Sequence, residues 1–367
     1  MVKHWFYADL DHLNLIKELN QVSDQWHETY MRRCLQLARC GELKVAPNPM
    51  VGSVIVHNGL IIGEGFHQFY GGPHAEVNAI HSVQDKELLK DDTIYVNLEP
   101  CSHFGKTPPF ADLIVQMGIP RVVIGSLDPN PQVAGKGIER LKAHGIEVIK
   151  GVLDDECRHL NRRFFTFHEK KRPFITLKWA QTQDGFIDKK RSSNEIGVNW
   201  ITGDDARVFV HHLRAQHAAI LIGTNTALND NPTLTVREVE GSNPLRVIID
   251  RERKIPSGSN VLNQDAKTLV FTEKEHEVTD HVEWFHVDFS NELPEFILAE
   301  LYRRNIQSVM VEGGAFTLSQ LIHKGLWDEA VVLKGNISFG DGIHAPEFKG
   351  MLYSERKMTT CMVEFYC

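Results

Sequence analysis

From Trp26 the apolar positions Tyr30, Cys34, Leu37 and Ala38 recur at helical spacing, and Gly41 supplies a natural C-terminal stop. Pro47-Asn48-Pro49 then makes a rigid loop. Two apolar runs, Val51–Val56 and Leu60–Phe66, are joined by Asn58-Gly59, the strongest short signal for a hairpin. Gly71-Gly72-Pro73 leads into a helix beginning near His74. From there the pattern alternates. Strands over Thr93–Leu98, Arg121–Ser126 and Ile146–Ile149 are separated by helices over Phe110–Met117 and Gly137–His144. Such alternation predicts a sheet covered by helices. Ligand sites in such sheets collect at the carboxyl ends of strands, and His67, Cys101 and Asp128 all lie just past strand ends.

A helical pattern from Asp154 to about His168 and the basic stretch Lys170-Lys171-Arg172-Pro173 mark a junction. A second α/β unit begins with a strand over Phe174–Trp179. Its later strands are expected over Ala219–Ile222, Leu245–Asp250, Thr268–Phe271, Ser308–Val311 and Glu329–Leu333. The resulting division is an N-terminal extension over residues 1–25, a first domain over 26–150, a linker helix over 151–172 and a second domain over 173–367.

Composition narrows the function. A chain of 367 residues with 42% hydrophobic and 24% charged positions is long enough for two ordinary cores. No apolar run approaches membrane-spanning length. The formal net charge of −8 disfavours a nucleic-acid partner but leaves room for a small phosphorylated ligand held by a few local cations. Six cysteines without regular spacing argue against a disulfide framework. Residues 1–24 mix charged and apolar positions, unlike a secretory signal, so the cytoplasm is the expected compartment.

The candidate chemistry of the first half lies between His74 and Phe110. His74-Ala75-Glu76, then Pro100-Cys101 after an intervening strand, is the opening of a zinc-deaminase signature. Imidazole and thiolate would bind Zn²⁺, while the carboxylate would move protons without touching the metal. The signature needs one more cysteine, and Phe110 stands in its place.

The wider wording, Pro47-Asn48-Pro49-Met-Val-Gly52, Gly65-Phe-His67, His74-Ala-Glu76, Glu99-Pro-Cys101-Ser-His103-Phe-Gly105-Lys106-Thr107-Pro108-Pro109 and Asp128-Pro-Asn130-Pro, closely resembles the bifunctional riboflavin-biosynthesis deaminase/reductase family. The resemblance implies a cytidine-deaminase-like, three-layer N-terminal domain that hydrolyses a ring amine of a diaminopyrimidinone ribosyl phosphate. It makes His74 and Cys101 zinc ligands and Glu76 the proton carrier, with Asn48, His67, His103, Lys106, Asp128 and Asn130 around the substrate. His103 and Asp112 are the sequence neighbours that could replace the missing ligand. Loss of a donor leaves two readings of this half: a zinc-poor deaminase, or a non-catalytic binding or assembly module attached to a reductase.

In the second half no Gly-x-Gly-x-x-Gly follows a strand, so the Rossmann fingerprint is absent. Instead Val309-Met-Val-Glu312-Gly313-Gly314-Ala-Phe-Thr317 reads as a buried strand, two glycines and a helix, a turn through which backbone N–H groups can approach an anion. With Leu177-Lys178-Trp-Ala, Trp200-Ile-Thr202, Leu213-Arg214-Ala215, Gly223-x-x-Thr226 and Asp230-Asn-Pro232-x-Leu234-Thr-x-Arg237, it resembles the reductase half of the same family. That implies a dihydrofolate-reductase-like α/β domain using NADPH to reduce a ribosyl group to ribityl. Arg214, Leu234, Arg237 and Glu312 would line the substrate. Trp200, Thr226, Asp230, Gly313, Gly314 and Thr317 would face the cofactor. Lys178 is placed with that cofactor set, although a strand lysine can also simply reach solvent. The resemblance further implies a homo-oligomer.

Overall fold

The structure is a computed structural model that describes residues 25–101, 110–130, 134–192, 195–274, 280–289 and 292–367. It divides into two compact units, Met1–Glu169 and Lys170–Cys367.

In the first unit, α1 (residues 25–39) precedes the hairpin of β1 (Gly52–His57) and β2 (Leu60–Phe66). Asn58 and Gly59 both take positive φ at its turn, the conformation a tight hairpin needs. Next come α2 (Ala75–Ser82), β3 (Thr93–Leu98), α3 (Phe110–Met117), β4 (Arg121–Ser126), α4 (Lys136–Ala143) and β5 (Glu147–Lys150). The strands form one sheet in the order β2-β1-β3-β4-β5. The hairpin and the β1–β3 pair are antiparallel, and β3, β4 and β5 run parallel.

Successive strand residues point to opposite faces, and each face has its own core. Val54, Val56 and Tyr95 pack with Met31, Cys34 and Leu37 of α1. Ile55, Ile94 and Val96 pack with Ala79, Ile80, Phe110, Ile114 and Leu141 of α2, α3 and α4. Two glycines let the helices sit close. A Cβ on Gly52 would lie 2.1 Å from the Cys34 carbonyl oxygen, and one on Gly65 would lie 2.3 Å from the Ala79 nitrogen.

The single helix expected after Asp154 is two, α5 (Asp154–Leu160) and α6 (Arg162–Lys170). Asn161 interrupts them. Its buried amide accepts from the Met50 N–H at 2.8 Å and donates to the Met50 carbonyl at 2.9 Å, which anchors the Asn48-Pro49-Met50 loop.

The second unit carries a nine-stranded sheet built from β6 (Phe174–Gln181), β8 (Ala219–Gly223), β9 (Leu245–Ile249), β10 (Thr268–Thr272), β11 (Val282–His286), β12 (Ser308–Val311), β13 (Glu329–Gly335), β15 (Leu352–Lys357) and β16 (Cys361–Tyr366). Their order across the sheet is β11-β10-β9-β8-β12-β6-β13-β16-β15. β7 (Phe186–Asp188) and β14 (Ile343–His344) make a separate two-stranded ribbon. The sheet is parallel from β11 to β13 and antiparallel from β13 to β15.

Both faces of its centre are buried. Leu221, Val309 and Val311 pack with α9 (Leu293–Arg303) and α10 (Ala315–His323). Ile220, Ile222 and Met310 pack with α7 (Asp204–Ala215) and α8 (Thr224–Asp230). Among the described residues no helix is long and apolar enough to cross a membrane.

Candidate active sites

In the first unit the chemistry gathers around the start of α2. His74 caps that helix, and burial lowers its pKa, which favours the neutral imidazole. Its Nδ1 lies 3.7 Å from Cys101 Sγ, so the strand end and the helix start bring two candidate metal donors together. Burial pushes the Cys101 thiol up to about 11. Glu76 is buried on the first turn of α2, where loss of solvation raises its carboxyl to about 7.

His67 is oriented from both sides. Its Nδ1 sits 2.9 Å from the Pro73 carbonyl, which can only accept, so Nδ1 carries the proton and Nε2 accepts from Asn48 Nδ2 at 3.1 Å. The Asn48 amide oxygen remains for a ligand. Asp128 is buried and raised to about 6, chiefly by desolvation, and its Oδ1 accepts from the Asn130 N–H at 2.7 Å.

The loop holding these residues hangs on Glu99, which motif reading did not single out. Its Oε2 accepts from the backbone N–H groups of Asp128 and Gly135 at 3.3 and 3.1 Å. Position in the Glu99-Pro-Cys101 wording was the only available signal, and it gave no role. His103 and Lys106 lie outside the described residues.

Position 110 is where a third donor would stand, and its side chain belongs to the core. Phe110 is 1% exposed and packs with Ile55, Ile80 and Ile114. Asp112, the other candidate substitute, is committed to an ion pair with Arg140. Among the described residues no group of three or more His, Cys, Asp or Glu side chains could hold a metal ion. A catalytic zinc site takes three protein donors; the described residues supply two and do not fit it.

In the second unit a cavity of about 1130 Å³ lies at the carboxyl ends of β6, β8 and β12, where α/β sheets place their ligands. Lys178, Trp200, Arg214, Thr226, Asp230, Leu234, Arg237, Glu312, Gly313, Gly314 and Thr317 all line it. Its floor is an ion cluster. Lys178 Nζ stands 3.0 Å from Glu312 Oε1, and Arg214 Nη2 donates to Glu312 Oε2 at 2.9 Å. Burial alone would raise the Glu312 carboxyl, but Arg214 and Lys178 outweigh it and hold it at about 2. Lys178 therefore does not run out to solvent. Arg214 also donates to the Thr235 carbonyl at 2.7 Å, which ties the Leu234–Arg237 loop to the cluster.

Directly after Glu312, Gly313 and Gly314 pass close to Thr226, whose Oγ1 would be 3.0 and 3.3 Å from added Cβ atoms. α10 begins directly afterwards, so its first N–H groups face the cavity end of the turn. Trp200 is 61% exposed although its ring lines the cavity, a disposition that suits stacking on a planar ligand. This flat aromatic wall, the glycine cradle and the cavity's size fit a dinucleotide.

Sequence reading overlooked Arg191. It bonds Asp188 at 2.8 Å, Asp230 at 2.9 Å and the Gly197 carbonyl at 2.6 Å, so one guanidinium fastens the segment before Trp200 to the end of α8. Burial still lifts Asp230 to about 6 despite that cation.

This is the layout of a fused enzyme, with a deaminase-like unit followed by a dinucleotide-dependent reductase unit. Residues 173–361 match the family model of the RibD C-terminal domain, and residues 24–126 match that of the cytidine and deoxycytidylate deaminase zinc-binding region. The riboflavin biosynthesis protein RibD of Aquifex aeolicus is 42% identical over 86% of this chain and 88% of its own. That of Escherichia coli is 38% identical over 83% and 86%. A solved diaminohydroxyphosphoribosylaminopyrimidine deaminase/5-amino-6-(5-phosphoribosylamino)uracil reductase from Thermotoga maritima, 41% identical, covers 94% of this chain and 99% of its own with a TM-score of 0.84. The chain belongs to the RibD family of riboflavin-biosynthesis enzymes. Its first unit is cytidine-deaminase-like, its second is the family's reductase domain, and the cofactors that go with the two domains are Zn²⁺ and NADPH.

Proposed function

We propose that the second unit reduces the ribosyl group of a phosphorylated aminopyrimidine inside this cavity, and that the Lys178–Glu312–Arg214 cluster is its substrate floor. The observation that carries this reading is geometric: Glu312, at a strand end directly before the two-glycine turn, pairs with both Lys178 and Arg214 in the cavity lining. Trp200, Thr226, Asp230, Gly313, Gly314 and Thr317 hold NADPH; Arg214, Leu234, Arg237 and Glu312 hold substrate. Lys178 belongs with the substrate group, because its ammonium is bonded to Glu312.

NADPH supplies the hydride. Conversion of ribosyl to ribityl adds that hydride to the anomeric carbon and breaks its bond to the ring oxygen, so the freed oxygen needs a proton. Lys178 Nζ, held 3.0 Å from Glu312 Oε1 at the cavity floor, is placed to donate it. Glu312, ionised at neutral pH, accepts from sugar hydroxyls and fixes the anomeric carbon in the cavity.

In the first unit, Asn48, His67, Asp128 and Asn130 hold the pyrimidine ribosyl phosphate, His103 and Lys106 being assigned to it by the motif wording alone, and Glu76, with its carboxyl raised to about 7, carries a proton to or from the ring amine. His74 and Cys101 would be two of the donors to a metal there, one short of a catalytic zinc set among the described residues.

Trp200 tests the assignment of the two sides. Trp200→Ala is expected to raise the KM for NADPH about tenfold, a loss of stacking contact, while the KM for the pyrimidine substrate stays within about twofold. Steady-state rates of NADPH oxidation measure both. A rise confined to the pyrimidine KM would reverse the assignment.

A further inference from the structure

We propose that the phosphate group of the reductase substrate lies at the Arg237 guanidinium and that His211 is a further donor to it through its Nε2–H. The inference rests on the reading that Arg237 holds the substrate. α7 presents Arg207, Val210, His211 and Arg214 to the cavity at helical spacing, so the face that carries Arg214 also carries His211.

His211 is buried, and its ring is oriented by the backbone. Its Nδ1 accepts the Arg237 N–H at 3.0 Å. A ring nitrogen that accepts cannot carry the proton, so the neutral imidazole has its hydrogen on Nε2. That nitrogen has no partner among the described residues, and the residue lines the cavity. Desolvation, Arg214 and Arg237 depress its pKa to about 4, which keeps the ring in this single neutral tautomer at neutral pH.

The nearby cations are unequal. Both terminal nitrogens of Arg214 are taken, one by Thr235 and one by Glu312. Arg237 uses Nη1 alone, on the Thr233 and Thr235 hydroxyls, and its side chain is otherwise open to the cavity. A phosphate at Arg237 therefore meets a guanidinium fork with free donors, and the ring bonded to that residue's own backbone offers one more. A donor that is neutral, rigid and already desolvated adds a hydrogen bond to a dianion at little ordering cost.

The decisive variant is His211→Asn. Asparagine places Oδ1 near the position of Nδ1 and can still accept the Arg237 N–H, but it has no atom at Nε2. Reductase kinetics are measured on the phosphorylated substrate and on its dephosphorylated counterpart, with inorganic phosphate as competitor. His211→Asn is expected to raise the KM for the phosphorylated substrate and the Ki for inorganic phosphate about tenfold. The KM for the dephosphorylated compound and for NADPH should stay at native values.

Equal losses on both substrates would make His211 a structural support of the Arg237 loop and overturn the proposal. So would native behaviour on the phosphorylated substrate, or a change confined to NADPH, whose own phosphates would then be what the ring touches. Arg237→Met, run in parallel, separates the two levels. If it discriminates between the substrates and His211→Asn does not, only the histidine inference fails. If neither discriminates, the phosphate site itself is misplaced.

Discussion

Phe110→Cys is expected to raise the zinc affinity of the first unit by on the order of a hundredfold or more. Structural sites with four protein ligands hold zinc with about 10–16 kcal/mol, so each donor is worth roughly 3 kcal/mol. A thiolate also brings a negative charge that a phenyl ring lacks. Position 110 opens α3, where the helix N-terminus favours a thiolate, and the Ala111 N–H already donates to the Cys101 carbonyl at 3.3 Å, which keeps the two segments adjacent. The substitution also removes a fully buried ring from between Ile55, Ile80 and Ile114. Large-to-small changes of this kind cost about 2–4 kcal/mol. The metal-free variant should therefore unfold earlier than the native chain, and added zinc should return much of that stability. Competition with a chelating dye gives the affinities, and thermal unfolding with and without zinc gives the linkage. Near-stoichiometric, tightly held zinc in the native protein sinks the prediction. If that zinc disappears in His103→Ala, the third donor comes from the 102–109 segment.

The position of Phe110 was legible because the motif around it is rigid in wording: the cysteine expected after Thr107-Pro108-Pro109 is missing. The commitment of Asp112 to Arg140 was not legible, since an ion pair between α3 and α4 depends on how the two helices pack. The same division holds elsewhere. Central strands such as β3, β8 and β12 announce themselves as short apolar runs, because both their faces are buried. β15 has six exposed residues in a row and so has no buried face to set up an alternation, which is why this edge strand left no trace in the pattern. Asn161, Glu99 and Arg191 act through backbone groups distant in sequence, the Asn229 carbonyl in the case of Arg191, and backbone donors and acceptors have no letter code. His211 had a weak signal in its place three residues before Arg214 on α7, which becomes meaningful once that helix face is known to line the cavity.

Glu312→Gln is expected to destabilise the second unit by about 3–5 kcal/mol and to lower reductase kcat/KM by on the order of a hundredfold. Glutamine keeps the shape and removes the charge, leaving the half-buried Lys178 and the buried Arg214 without their common counter-ion. The native cluster should also be visible in acid. Glu312 is held at about 2 in the folded chain against an ordinary 4.5, so its folded-state pKa is depressed. The stability it contributes, about 3 kcal/mol by linkage, is present above pH 4.5 and is lost as pH falls from there towards 2. The Glu312→Gln protein has no carboxyl to protonate, so its stability should change less across that window. Trp179, Trp200, Trp284 and Trp327 all lie in the second unit, which makes tryptophan fluorescence a suitable reporter of its unfolding. The double variant Lys178→Met with Glu312→Gln separates stability from chemistry. Removing the stranded ammonium should restore part of the lost stability, because a buried pair replaced by neutral groups can be close to neutral in energy. It should restore none of the activity, because the proton donor proposed for the sugar oxygen is then gone as well. Recovery of both together would mean that the cluster holds the cavity open and takes no part in the reduction.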